Sequence, residues 1–107
     1  MSEELTRKRL AMLEQRIAAG SDDPFVHYAR ALELRSLGEL ERALAALSDV
    51  EARFPEYVPT FLMGGQVASQ LDRVEEARGF LERGVALATR VRDEHARTEL
   101  QQALDAL

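Results

Sequence analysis

The sequence has 107 residues, no cysteine, 19 acidic against 14 basic side chains and a formal net charge of −5. That length supports one domain with a modest core, and the missing cysteine excludes disulfides and thiolate metal sites and fits a reducing compartment. The acidic balance argues against nucleic acid as partner, and no apolar run approaches the roughly 18 residues that cross a bilayer, so a cytoplasmic protein with no membrane role is expected.

Leucine, alanine, glutamate and arginine dominate, and helix is favoured almost everywhere. The start MSEELTRKRL has no apolar signal core. Ser2 caps a first helix running from about Glu3 to Ala19, with Leu10, Leu13 and Ile17 on one stripe and Gly20 closing it. Arg7, Lys8 and Arg9 are the nearest thing to a basic cluster. Glu3 and Glu4 stand four residues before Arg7 and Lys8, which reads as a solvated helix face rather than a phosphate contact.

Asp23 followed by Pro24 opens a second helix, a capping carboxylate and then proline at the first helical position. That helix runs to Ser36, and Gly38 ends it in a left-handed turn. A third helix spans about Glu39 to Arg53 and stops before Pro55. Pro59 begins a fourth, ending near Gln70, with Asp72 in the place of Gly38. The fifth starts at Val74 and reaches about Ala88, with no proline to mark its end. The last, about Arg92 to Ala106, carries Ala96, Leu100, Ala103 and Leu107 on one face.

Text recurs along these helices. LGELERALAAL at Leu37–Leu47 returns thirty-four residues later as LDRVEEARGFL, pairing Leu37 with Leu71, Glu41 with Glu75, Ala43 with Ala77 and Leu47 with Leu81, while Ala52 pairs with Ala86. Ala31, Leu34, Gly38, Leu40, Ala43, Leu47 and Pro55 give small, large, glycine, apolar, small, large and proline in turn. In the second unit the pattern is carried by Phe61, Gly65, Ala68, Val74, Ala77, Leu81 and Gly84. This pattern resembles the tetratricopeptide repeat. It departs at Asp72, where glycine is usual, at Thr89, where proline is, at His27, where an aromatic is common, and at Val50, where a small residue is usual.

The resemblance implies an all-α fold of about six helices, a right-handed superhelical stack of antiparallel hairpins in one domain spanning 1–107. Its parts are a degenerate half-repeat (1–20), two repeats (24–57 and 58–91) and a capping helix (92–107). Packing explains the small residues: helix axes approach to roughly 8–10 Å only where side chains are short. Ala31 and Ala43 are expected at one crossing, Gly65 and Ala77 at the other. Gly64 has no such reason in the pattern, so a soft spot in the fourth helix is expected there.

Chemistry is sparse. His27 and His95 have no second histidine at helical spacing, which leaves no zinc pair, and Asp93, Glu94 and His95 are consecutive and point apart. Gly64–Gly65 precedes no Lys-Ser or Lys-Thr and follows no strand, unlike a phosphate loop. Glu39, Glu41, Glu75 and Glu76 sit in first turns, where they complement the helix dipole. No catalytic residue, metal or cofactor is expected.

Tetratricopeptide stacks bind on a concave surface lined by the first helix of each pair. The resemblance maps that surface onto Tyr28, Leu32, Arg35 and Ser36, and onto Leu62, Met63, Gln66, Ser69 and Gln70. It lacks the lysines and asparagines with which some members hold a peptide carboxylate. The expected function is a non-enzymatic adaptor or scaffold for a peptide or partner protein. The alternatives are a self-associating structural protein, such as a homodimer, and an enzyme of unrecognised type, for which no feature speaks.

Overall fold

In the computed structural model, which describes Ser2–Leu107, the helices begin where the chain offers an acceptor to their first amides. Ser2 Oγ accepts from Leu5 N–H at 3.2 Å and opens α1 (Glu3–Ala18). Asp23 Oδ1 accepts from Phe25 N–H at 2.9 Å ahead of Pro24 and opens α2 (Pro24–Ser36). α3 (Leu40–Arg53) and α5 (Val74–Arg90) have no side-chain cap, and Pro59 starts α4 (Pro59–Gln70). Asp93 accepts from Ala96 N–H and opens α6 (Glu94–Asp105).

The chain divides into two compact units, Met1–Phe54 with α1 to α3 and Pro55–Leu107 with α4 to α6. In the first, α2 packs against both α1 and α3. Its core is Leu10, Val26, Ala31, Leu34, Ala43, Leu44, Ala46, Leu47 and Val50, each nearly or wholly buried. His27 belongs to this core at 4% exposure. Its ring Nε2–H donates to the Ser21 carbonyl at 2.8 Å, and the ring lies 5.1 Å from that of Phe54. Histidine here fills an aromatic's volume while fastening the α1–α2 connection, which explains the departure from the repeat pattern.

In the second unit α5 packs against α4 and α6, and its glycines mark the closest approaches. A Cβ on Gly65 would lie 2.5 Å from Leu81 Cδ2, and one on Gly84 would lie 2.6 Å from Phe61 Cβ and 2.8 Å from Leu100. The soft spot expected at Gly64 rests on a mistaken premise. That glycine is buried, and a Cβ there would stand 2.5 Å from the Phe80 ring, so the Phe80 side chain occupies the space.

Both hairpins turn in the same way. At Gly38 (φ 76°) the glycine N–H donates to Arg35 O and Glu39 N–H to Leu34 O. Asp72 (φ 58°) repeats this pair to Ser69 and Ala68, as expected of an aspartate standing in for glycine. A third copy, at Arg92 (φ 62°), corrects the boundaries drawn from the sequence. α5 continues to Arg90, and Arg92 is the turn residue rather than the start of the last helix. Arginine has no local hydrogen bond to favour left-handed geometry. Arg92→Gly should therefore raise stability by about 0.5–1 kcal/mol, read as a higher urea midpoint at constant m.

Leu100 is 1% exposed and anchors α6, while Ala96 and Ala103 are half-buried beside it; Leu107 lies beyond the helix and is exposed. Two buried polar atoms, Arg30 Nε and Thr60 Oγ1, have no hydrogen-bond partner among the described residues. Thr60 is fully buried. Thr60→Val keeps the shape and removes the desolvated hydroxyl, so it should stabilise by about 1 kcal/mol, seen as a rise in thermal midpoint.

Candidate functional site

The helix periodicity that buries His27, Ala31 and Leu34 of α2 turns Tyr28, Leu32 and Arg35 to another face, where all three are half-buried; Ser36 at the helix end is exposed. In α4 the same logic buries Phe61, Gly64, Gly65 and Ala68. It leaves Leu62 and Met63 half-buried and Gln66, Ser69 and Gln70 exposed. Each of the two helices thus carries a strip with an apolar centre and polar margin, composed of the residues marked in the sequence. Neither strip contains a carboxylate, and its one formal charge is Arg35.

Elsewhere the charges are spread along helix surfaces. Glu3 pairs with Arg7 at 3.0 Å and Glu4 with Lys8 at 3.8 Å, as their spacing predicts. Glu39 pairs with Arg42 at 2.9 Å, Glu94 with Arg97 at 2.9 Å, and His95 stands 3.1 Å from Glu99 on an exposed surface. These are i,i+3 and i,i+4 neighbours in water, each contributing at most about 0.5 kcal/mol. Among the described residues no three histidine or carboxylate side chains come together as metal ligands, and no helix is long and apolar enough to cross a membrane.

Arg9 departs from the solvated reading of its cluster. Its Nε and Nη2 donate to the two carboxylate oxygens of Glu33 at 2.9 and 3.2 Å, a fork that joins α1 to α2. Beside this pair a cleft of about 310 Å³ opens between the two helices, lined by Met12, Leu13, Phe25 and Ala29, with Arg9, Glu33 and Arg16 at its edge. Sequence reasoning missed this cleft. Its signal was an apolar stripe, Met12 and Leu13, interrupted by arginines at both ends.

No protein-family model matches the chain, and no curated protein does. Solved structures do. The solution structure of a tetratricopeptide repeat domain protein from Salinibacter ruber is 31% identical, with a TM-score of 0.74 over 78% of this chain and 84% of that one. A crystal structure of a tetratricopeptide repeat domain protein from the same organism is also 31% identical, with a TM-score of 0.72 over 78% of this chain and 92% of its own. PcrH, crystallised with the chaperone-binding region of PopB, shares the fold over 97% of this chain at a TM-score of 0.73 and 17% identity. Hairpins joined by Schellman turns, small residues at the helix crossings and these likenesses agree: the chain belongs to the tetratricopeptide repeat family.

Proposed function

We propose that the chain is a non-catalytic protein-interaction module, an adaptor that holds a peptide segment or partner protein through the strip of α2 in the first unit and the strip of α4 in the second, each a surface of its own unit. The observation that carries this reading is the mixed character of those strips. Tyr28, Leu32, Leu62 and Met63 leave apolar surface half-exposed beside Arg35, Gln66, Ser69 and Gln70. Tyrosine and arginine anchor interfaces, and methionine adapts to varied partners. The likeness to PcrH, seen with a segment of PopB, supports a polypeptide as the ligand class. The dispersal of titratable groups into pairs along helix surfaces supports binding rather than catalysis.

Tyr28→Ala combined with Gln66→Ala tests the assignment. The double variant should lose at least about tenfold in affinity for proteins that the wild type captures from its host, since a truncated anchor costs about 2 kcal/mol or more. Its melting temperature should stay within a few degrees, because Tyr28 is only half-buried and Gln66 is exposed. Capture undiminished by the double substitution would show that binding lies elsewhere.

A further inference from the structure

Two repeat lengths separate α1 from α5, and one separates it from α3. Positions 9, 12, 13 and 16 therefore correspond to Ala43, Ala46, Leu47 and Val50, and again to Ala77, Phe80, Leu81 and Gly84. In α5 this face carries the first helix of the hairpin: Phe80 lies against Gly64, Leu81 against Gly65 and Gly84 against Phe61. Every one of these positions is buried in α3 and in α5. On α1 the face is open, with Met12 64% exposed, Arg16 exposed, and Arg9 and Leu13 half-buried. The cleft beside α2 is thus the seat of a hairpin helix, with Phe25, 58% exposed, standing at its side.

The residues of the seat describe its occupant. Where α3 and α5 have alanine, valine or glycine, α1 has Arg9 and Arg16. A helix like α2 or α4 would meet two long cations where it needs short side chains. Arg9 is neutralised by Glu33, whereas the Arg16 guanidinium has no ion pair or hydrogen bond among the described residues. A buried, unpaired arginine is costly, so an occupant must bring a carboxylate to it.

A second copy of the chain fits poorly. Antiparallel pairing of two α1 helices about Met12 would set Arg16 against Lys8 of the other copy. The positions of α6 that correspond to Phe61, Gly65 and Ala68 are His95, Glu99 and Gln102, which are exposed and polar and have no apolar stripe to lay on Met12 and Phe25.

We propose that the α1–α2 cleft receives an amphipathic helix from a partner protein, with an apolar stripe against Met12, Leu13, Phe25 and Ala29 and a carboxylate against Arg16. This helix completes the hairpin of which α1 is the second half. None of the residues that line it belongs to the strips of α2 and α4, and Leu32 stands one helical turn from Ala29 on the same side of α2.

The test uses two lactam-stapled peptides of about four helical turns that share a leucine stripe, one flanked by glutamates and one by lysines. Backbone amide shifts of the isotope-labelled full chain should move at Met12, Leu13, Phe25 and Ala29 on adding the acidic peptide, which should bind at least about tenfold more tightly than the basic one. Arg16→Glu should reverse that preference, and Met12→Glu should abolish binding. Both residues are exposed, so both variants should fold, which circular dichroism checks. Three results would each overturn the proposal: no shift in the cleft, equal affinity for the two peptides, or a concentration-dependent dimer whose formation Met12→Glu abolishes.

Discussion

Ala43→Arg should leave the first unit unfolded, with loss of most of its helical circular dichroism. Ala43 is fully buried, and Leu47 and Val50 on the same face are 0% and 1% exposed. Overpacking alone costs about 1–3 kcal/mol, and a buried cation without a partner adds several more. Domains are typically stable by only 5–15 kcal/mol, and small ones lie toward the low end of that range. Ala45→Arg provides the control. It makes the same chemical change two residues on, at an exposed position of the same helix, and should alter stability by no more than about 0.5 kcal/mol. Two variants of equal stability would contradict the packing described for α3.

Gly84→Ala should destabilise the second unit by about 2–3 kcal/mol, and Gly65→Ala by much less. Both gain helix propensity, worth up to about 1 kcal/mol. The difference lies in what the new methyl meets. At Gly65 it meets the end of the Leu81 side chain, which can change rotamer. At Gly84 it meets Phe61 Cβ, fixed to the backbone, so α4 and α5 must part and Leu100 loses its place. Urea titrations of the two single variants give the comparison. An equal cost, or a larger one at Gly65, would mean that the α4–α5 approach is not closest at Gly84.

These contacts explain what could and could not be read from the sequence. Turn positions were legible at Gly38 and Asp72 because both residue types tolerate left-handed geometry. Arg92 was not, since nothing local distinguishes an arginine in that conformation, and the end of α5 was lost with it. Gly64 was misjudged because its reason lies on another helix. Thirty-four residues earlier the same two positions hold Arg30 and Ala46, and at Gly64 and Phe80 the large and small residues have changed sides. A reading of sizes in pairs across the hairpin would have found it.

The strips of α2 and α4 followed from helical periodicity together with the family resemblance. The α1–α2 cleft did not, because Arg9 and Arg16 look like ordinary surface charges until Arg9 is seen bound to Glu33. Charge on a helix face is ambiguous in one dimension, since the same arginine can be solvated or can border an apolar site.

The central claim is that the helices of the second unit close through glycine, and a carbon-edited nuclear Overhauser spectrum of the uniformly labelled protein tests it most directly. Cross-peaks should join Gly64 Hα to the Phe80 ring, Gly65 Hα to the Leu81 methyls, and Gly84 Hα to both Phe61 Hβ and the Leu100 methyls. Absence of the Gly84 pair in a folded sample would place α4 and α6 elsewhere on α5 and contradict the account.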